Sequence, residues 1–147
     1  MLFRSEMAGD ALPFDQEWLL GTAFLAETAA LLGEVETAAV LYEALAPWST
    51  LNAADHPEGI RGSVARYLGL LAVRLGRDDD AAAHFEDALA MNARMGARPW
   101  LAYTQSDYAD LLRPSDPRRA DELEAAASAT YEELGLARGR RWQRSQA

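Results

Sequence analysis

The densest group of metal-capable side chains in the chain is Asp78-Asp79-Asp80. Carboxylates hold a hard cation when their oxygens converge, but consecutive helical residues point in three directions. Three acids in a row instead suit the first turn of a helix, beside unpaired N–H groups and the positive end of the helix dipole. The two histidines form no ligand set. His56 sits beside Pro57 in a turn-forming stretch, and four residues after His84 comes Ala88, so neither has a second histidine or carboxylate at i+4. Both read as structural or surface residues. With two histidines and no spatial information, no Ser-His-Asp arrangement can be argued. The acid pairs Asp121-Glu122 and Glu132-Glu133 fall on outward helical faces, where solvated charge is the default. No catalytic, cofactor-binding or metal-binding residue emerges, and the expectation is a protein that is not an enzyme.

Charge narrows the partners. The net charge is −9, and all fourteen basic residues are arginine. The absence of lysine removes the Gly-Lys pair of a phosphate-binding loop and any Schiff-base chemistry. Four arginines lie in the last ten residues, so residues 1–137 set ten arginines against twenty-three acids, a balance of −13. Direct nucleic-acid binding is therefore not expected. The Arg-rich tail, residues 137–147, could attract a phosphate or an acidic partner, although a solvated end is the expected state. With no cysteine, disulfide frameworks and thiolate metal sites are excluded. Neither a signal peptide nor an apolar run of spanning length is present, so a cytoplasmic protein without membrane contact is expected.

What must position any functional surface is helix. Half of the 147 residues are hydrophobic, a quarter are charged and thirty are alanine, a composition that favours one folded helical domain. The organising stretch is Ser63 to Leu89. Val64, Leu68, Leu71 and Leu75 recur at helical spacing, Gly76 can end that helix, and Ala81, Phe85, Ala88 and Leu89 form the returning stripe. Leu68-Gly69, followed by Ala81 and Phe85, has the offsets of a tetratricopeptide unit, in which small residues let two helices cross and an aromatic fills the gap beside them. Ala65, Ala72 and Ala93 stand where that pattern prefers Trp, Tyr and Pro.

The unit recurs. Leu25-Ala26, Gly33, Ala38, Tyr42 and Glu43 fall on Leu68-Gly69, Gly76, Ala81, Phe85 and Glu86 at an offset of 43 residues, against the usual ~34. The excess lies in Trp48 to Pro57, read as a loop, where Ala53 should tolerate substitution. A weaker third copy has Tyr108-Ala109 and Ala120 at the crossing, with Glu124 in the aromatic's place. The expectation is an all-α fold of three antiparallel helix pairs (about 15–46, 58–95 and 99–134) stacked as a right-handed tetratricopeptide-like solenoid over residues 14–136. Residues 1–13 form a leader, and Ala137 to Ala147 could make a short capping helix that places Trp142 over the open end.

The phrases GSVARYLGLLAVRLGR and HFEDALAMNARMGARPWLAYTQSDYADLL resemble the tetratricopeptide region at the C-terminal end of large bacterial regulators that join an ATPase module to a helix-turn-helix or nucleotide cyclase domain. The resemblance spans about Leu12 to Leu136 and is most distinctive at Met95-Gly96-Ala97-Arg98-Pro99-Trp100. It implies a sensor or interaction arm without catalysis. No ATPase motif is present in this chain, which reads as a free-standing homologue, a truncated product or an excised domain.

In such a stack the first helix of each pair lines the concave face. Its exposed residues are expected to be Ala23, Glu27 and Ala30, then Arg66, Leu70 and Arg74, then Tyr103, Ser106, Asp110 and Arg113. Mixed charge with apolar gaps suits a protein or peptide segment, and Arg66 and Arg74, two turns apart, could reach one extended acidic stretch. A small-molecule effector is the alternative ligand. Weak self-association through an exposed end, near Trp18 and Leu19 or the last pair, is also expected.

Overall fold

A computed structural model of the protein describes residues 14–55 and 59–137. Expectations for residues 1–13, His56, Pro57 and the tail beyond Ala137, including Trp142, lie outside the described residues. Among those described, six α-helices account for most of the fold: α1 Trp18–Leu32, α2 Val35–Leu45, α3 Val64–Arg74, α4 Asp78–Arg94, α5 Arg98–Leu112 and α6 Pro117–Leu134. None is long and apolar enough to cross a membrane.

Local chemistry explains the boundaries. Ser63 caps α3, its hydroxyl accepting from the Ala65 amide at 3.2 Å. Asp116 does the same for α6, accepting from the Arg119 amide at 3.0 Å, with Pro117 in the first turn. Asp78, Asp79 and Asp80 occupy the first turn of α4, where the helix dipole favours them. Pro47 does not end α2 cleanly; the chain tightens into a 3-10 turn over Ala46–Trp48.

The helices pack as α1 with α2, α3 with α4, and α5 with α6. Each later pair also rests on the one before it: α3 touches α1 and α2, and α5 touches α4 and α3. Helix α3 is central, with every residue from Val64 to Val73 buried. Its Gly69 lies directly against Phe85 of α4, so close that a Cβ there would sit 2.7 Å from a ring carbon. Phe85 in turn meets Tyr108 of α5, their ring centroids 5.6 Å apart. The corresponding crossing residues Ala26, Ala38, Ala81, Ala109 and Ala120 are all fully buried. In the third pair Leu123, not Glu124, turns into the core, and Tyr131 supplies the large ring further along α6.

The reading of Trp48 to Pro57 as a loop is corrected. Between the first two pairs the chain forms an antiparallel hairpin, β1 Asn52–Asp55 and β2 Gly59–Ser63, paired through Asn52 with Ser63, Ala54 with Ile60 and Asp55 with Gly59. Ala53, expected in a tolerant loop, is wholly buried. The reason is tertiary. Buried Asn92 of α4 accepts from the Ser63 amide at 3.0 Å and donates to the Thr104 hydroxyl of α5 at 3.1 Å, pinning β2 between those helices. Gly62 is required beside it, because its φ is 78° and a Cβ would lie 2.6 Å from Cβ of Trp100. Trp18 and Leu19 are partly exposed at the start of α1, where Trp18 packs against Phe14 and Trp48.

Candidate functional site

Four charged residues from four elements meet beside α3. Glu27 of α1 accepts from Arg61 of β2 at 2.7 Å through one oxygen and from Arg66 of α3 at 3.1 Å through the other. Arg66 also donates through Nε to Asp107 of α5 at 2.7 Å. The hairpin delivers Arg61, because the Tyr67 hydroxyl holds its carbonyl at 2.9 Å. Arg66 lies in the first turn of the most buried helix, which forces its guanidinium into the interior and requires an acid opposite it.

Aromatic rings surround the charges. The Arg61 guanidinium lies over Phe24 of α1 at 4.1 Å and over Trp100 of α5 at 4.9 Å. That of Arg66 faces the rings of Tyr67 and Tyr103 at 5.3 and 5.8 Å. Cation–π attraction thus supplements three ion pairs. The satisfaction is incomplete, for Nε of Arg61 and Nη1 of Arg66 are buried without a hydrogen-bond partner.

Burial grades the network. Arg66 is 4% exposed and Asp107 8%, whereas the side chains of Arg61 and Glu27 each keep 25%. Burial pushes the Asp107 carboxyl up to about 6, and Arg66 draws it back only part of the way. Glu27 and Asp110 add to the upward push. Arg66 remains charged: burial disfavours that form, but Asp107, Tyr67 and Glu27 outweigh it.

The expected exposed line is therefore corrected in part. Ala23, Ala30, Arg66, Leu70 and Ser106 are buried, and the Ser106 hydroxyl bonds to the Tyr131 hydroxyl at 3.1 Å. Arg74 donates to the Ala30 carbonyl. Glu27, Tyr103 and Asp110 are half-exposed, and Arg113 is exposed and paired with Asp121 at 2.7 Å. Arg66 and Leu70 are covered because α3 has neighbours on both sides, α1 and α2 before it and α4 and α5 after it. Asp107 was missed although it lies four residues after Tyr103, on the same stripe. Phe24, Arg61 and Trp100 gave no such signal, since only the hairpin brings them together.

A smaller cluster joins α2 to α4. The Tyr42 hydroxyl and Nε2 of His84 are 2.8 Å apart, and Arg77 covers the Tyr42 ring at 4.4 Å while pairing with Asp80 at 2.6 Å. Burial holds the His84 imidazole below its ordinary range, so it sits neutral and serves as a packing link. Among the described residues no group of three or more His, Asp or Glu is placed to hold a metal ion.

No protein-family model, curated protein or solved structure matches the chain.

Proposed function

We propose that the three helix pairs stack as a right-handed tetratricopeptide-like solenoid, and that the chain is a non-catalytic interaction module. In this reading it is a sensor or scaffold arm of a bacterial signalling or transcription regulator. It takes an extended protein or peptide segment on the side formed by α1, α3 and α5. The observation that carries the reading is the repeated packing order, in which α3 rests on both helices of the pair before it and α5 does the same. The close crossing of Gly69 under Phe85 supports it, because that contact sits at the small-residue and aromatic positions of the repeat.

The site revises the partner's chemistry. Arg66 is occupied by Asp107 and Glu27, so it does not offer a free charge to an acidic segment. The accessible rim consists of Phe24, Glu27, Tyr103 and Asp110. With a balance of −13 over residues 1–137, such a rim suits a segment that combines cations with apolar side chains.

Panning an unstructured-peptide library against the protein tests this. Selected peptides are then titrated into Tyr103→Arg, which obstructs the rim, and into Ala83→Arg, at an exposed position of α4. Loss of affinity of about tenfold or more is expected for the first and no change for the second. The reverse pattern would transfer binding to the opposite face.

A further inference from the structure

We propose that Phe24, Trp100 and Glu27 form a binding site for a guanidinium group, filled in this structure by the protein's own Arg61 and open to an arginine side chain of a partner when that residue yields. This deepens the interaction reading and rests on it for the partner; the existence of the site does not.

The occupant reveals the chemistry of the walls. Two rings lie 4.1 and 4.9 Å from the Arg61 guanidinium carbon, and a carboxylate accepts from it at 2.7 Å. Aromatic faces with an adjacent carboxylate satisfy a planar, weakly hydrated cation better than an ammonium ion, which loses more hydration on entry. A polar neutral group would gain from neither.

The walls and the occupant belong to different parts of the fold. Phe24 and Glu27 lie on α1 and Trp100 on α5, and Trp100 packs through its Cβ against the backbone of Gly62 in β2. Arg61 comes from the short hairpin strand β2, between Gly59 and Gly62, whose φ values are 115° and 78°. Removal of its side chain should therefore leave the walls standing.

Access and fit also favour exchange. Phe24 is 46% exposed, so one wall faces solvent. The resident group fits imperfectly, since its Nε is buried without an acceptor. Arg66 already engages the second oxygen of Glu27, which orients the carboxylate for a cation at the Arg61 position. The acidic body concentrates cationic segments near this rim.

The test uses Arg61→Ala and N-ethylguanidinium, with the Trp100 indole N–H followed by NMR and assigned through Trp100→Leu. A saturable shift in the millimolar range is expected for Arg61→Ala. Affinity for the wild-type protein should be about tenfold weaker, because Arg61 competes, and a similar loss should follow Glu27→Gln in the Arg61→Ala background. N-ethylammonium should bind more weakly. If Arg61→Ala is unfolded, N-ethylguanidinium must restore its circular dichroism. Absence of both shift and restoration, or affinity indifferent to Glu27→Gln, would overturn the proposal. Failure of peptide panning would leave this result standing, so the two readings fail separately.

Discussion

Arg66 of α3 and Asp107 of α5 are joined by a 2.7 Å hydrogen-bonded ion pair inside the protein, forty-one residues apart in sequence. It links the second and third helix pairs where α3 is most deeply buried. Removing one member strands the other charge in the interior, so Arg66→Ala or Asp107→Ala should each cost about 3–5 kcal/mol. Arg66→Met with Asp107→Leu should cost less than either alone, measured by urea unfolding. Equal losses for all three would show that the pair contributes only packing.

The same pair should give a pH signature. Asp107 has a folded value of about 6, above its ordinary 3.8, so between those values the folded state holds a proton that the unfolded state has released. Its contribution is therefore most favourable below about pH 4 and declines as pH rises through 6, by up to about 3 kcal/mol. Burial produces this shift, Arg66 of α3 opposes it, and Glu27 of α1 and Asp110 of α5 add to it. His84, held low by burial, acts oppositely and destabilises as pH falls, but it is common to both proteins compared. The urea midpoint of Asp107→Asn, relative to wild type, should rise between pH 4 and 7. A constant difference would mean that Asp107 titrates normally.

Gly69→Leu should destabilise the protein by about 1–3 kcal/mol, because the new side chain must displace Phe85. Ala53→Leu should also destabilise, since Ala53 is a fully buried residue of strand β1. Gly21→Ala, where nothing lies within 4 Å of the new Cβ, should be neutral or stabilising within α1. Thermal denaturation of the three variants ranks them, and a tolerant Gly69 would undo the repeat register.

Asn92→Ala should cost about 1–3 kcal/mol by leaving the Ser63 amide without its acceptor in a buried setting. Its particular signature is local. Hydrogen exchange at Ser63 should accelerate more than exchange in α6, whereas uniform acceleration would assign Asn92 to general packing.

The helices were legible because their signals are local. The Asp78–Asp80 start, the Asp116-Pro117 start and the spacing of Leu68, Gly69, Ala81 and Phe85 each act within a few turns. The hairpin was not, because Ala53, Ala54, Gly59 and Gly62 have weak strand propensity, and β2 is anchored where the Ser63 amide donates to Asn92, distant in sequence. The site was half legible. Glu27, Arg66, Tyr103 and Asp110 follow from helical spacing, but an arginine on a middle helix reads as solvated until the neighbouring pair covers it. Arg61 reaches Glu27 only through the hairpin.

The most direct measurement is hydrogen exchange across the protein with and without a peptide selected from the library. Protection should concentrate in α1, α3 and α5, around Glu27, Tyr103 and Asp110, with little change along the exposed side of α4. Protection confined to α2, α4 and α6 would contradict the assignment of the binding face.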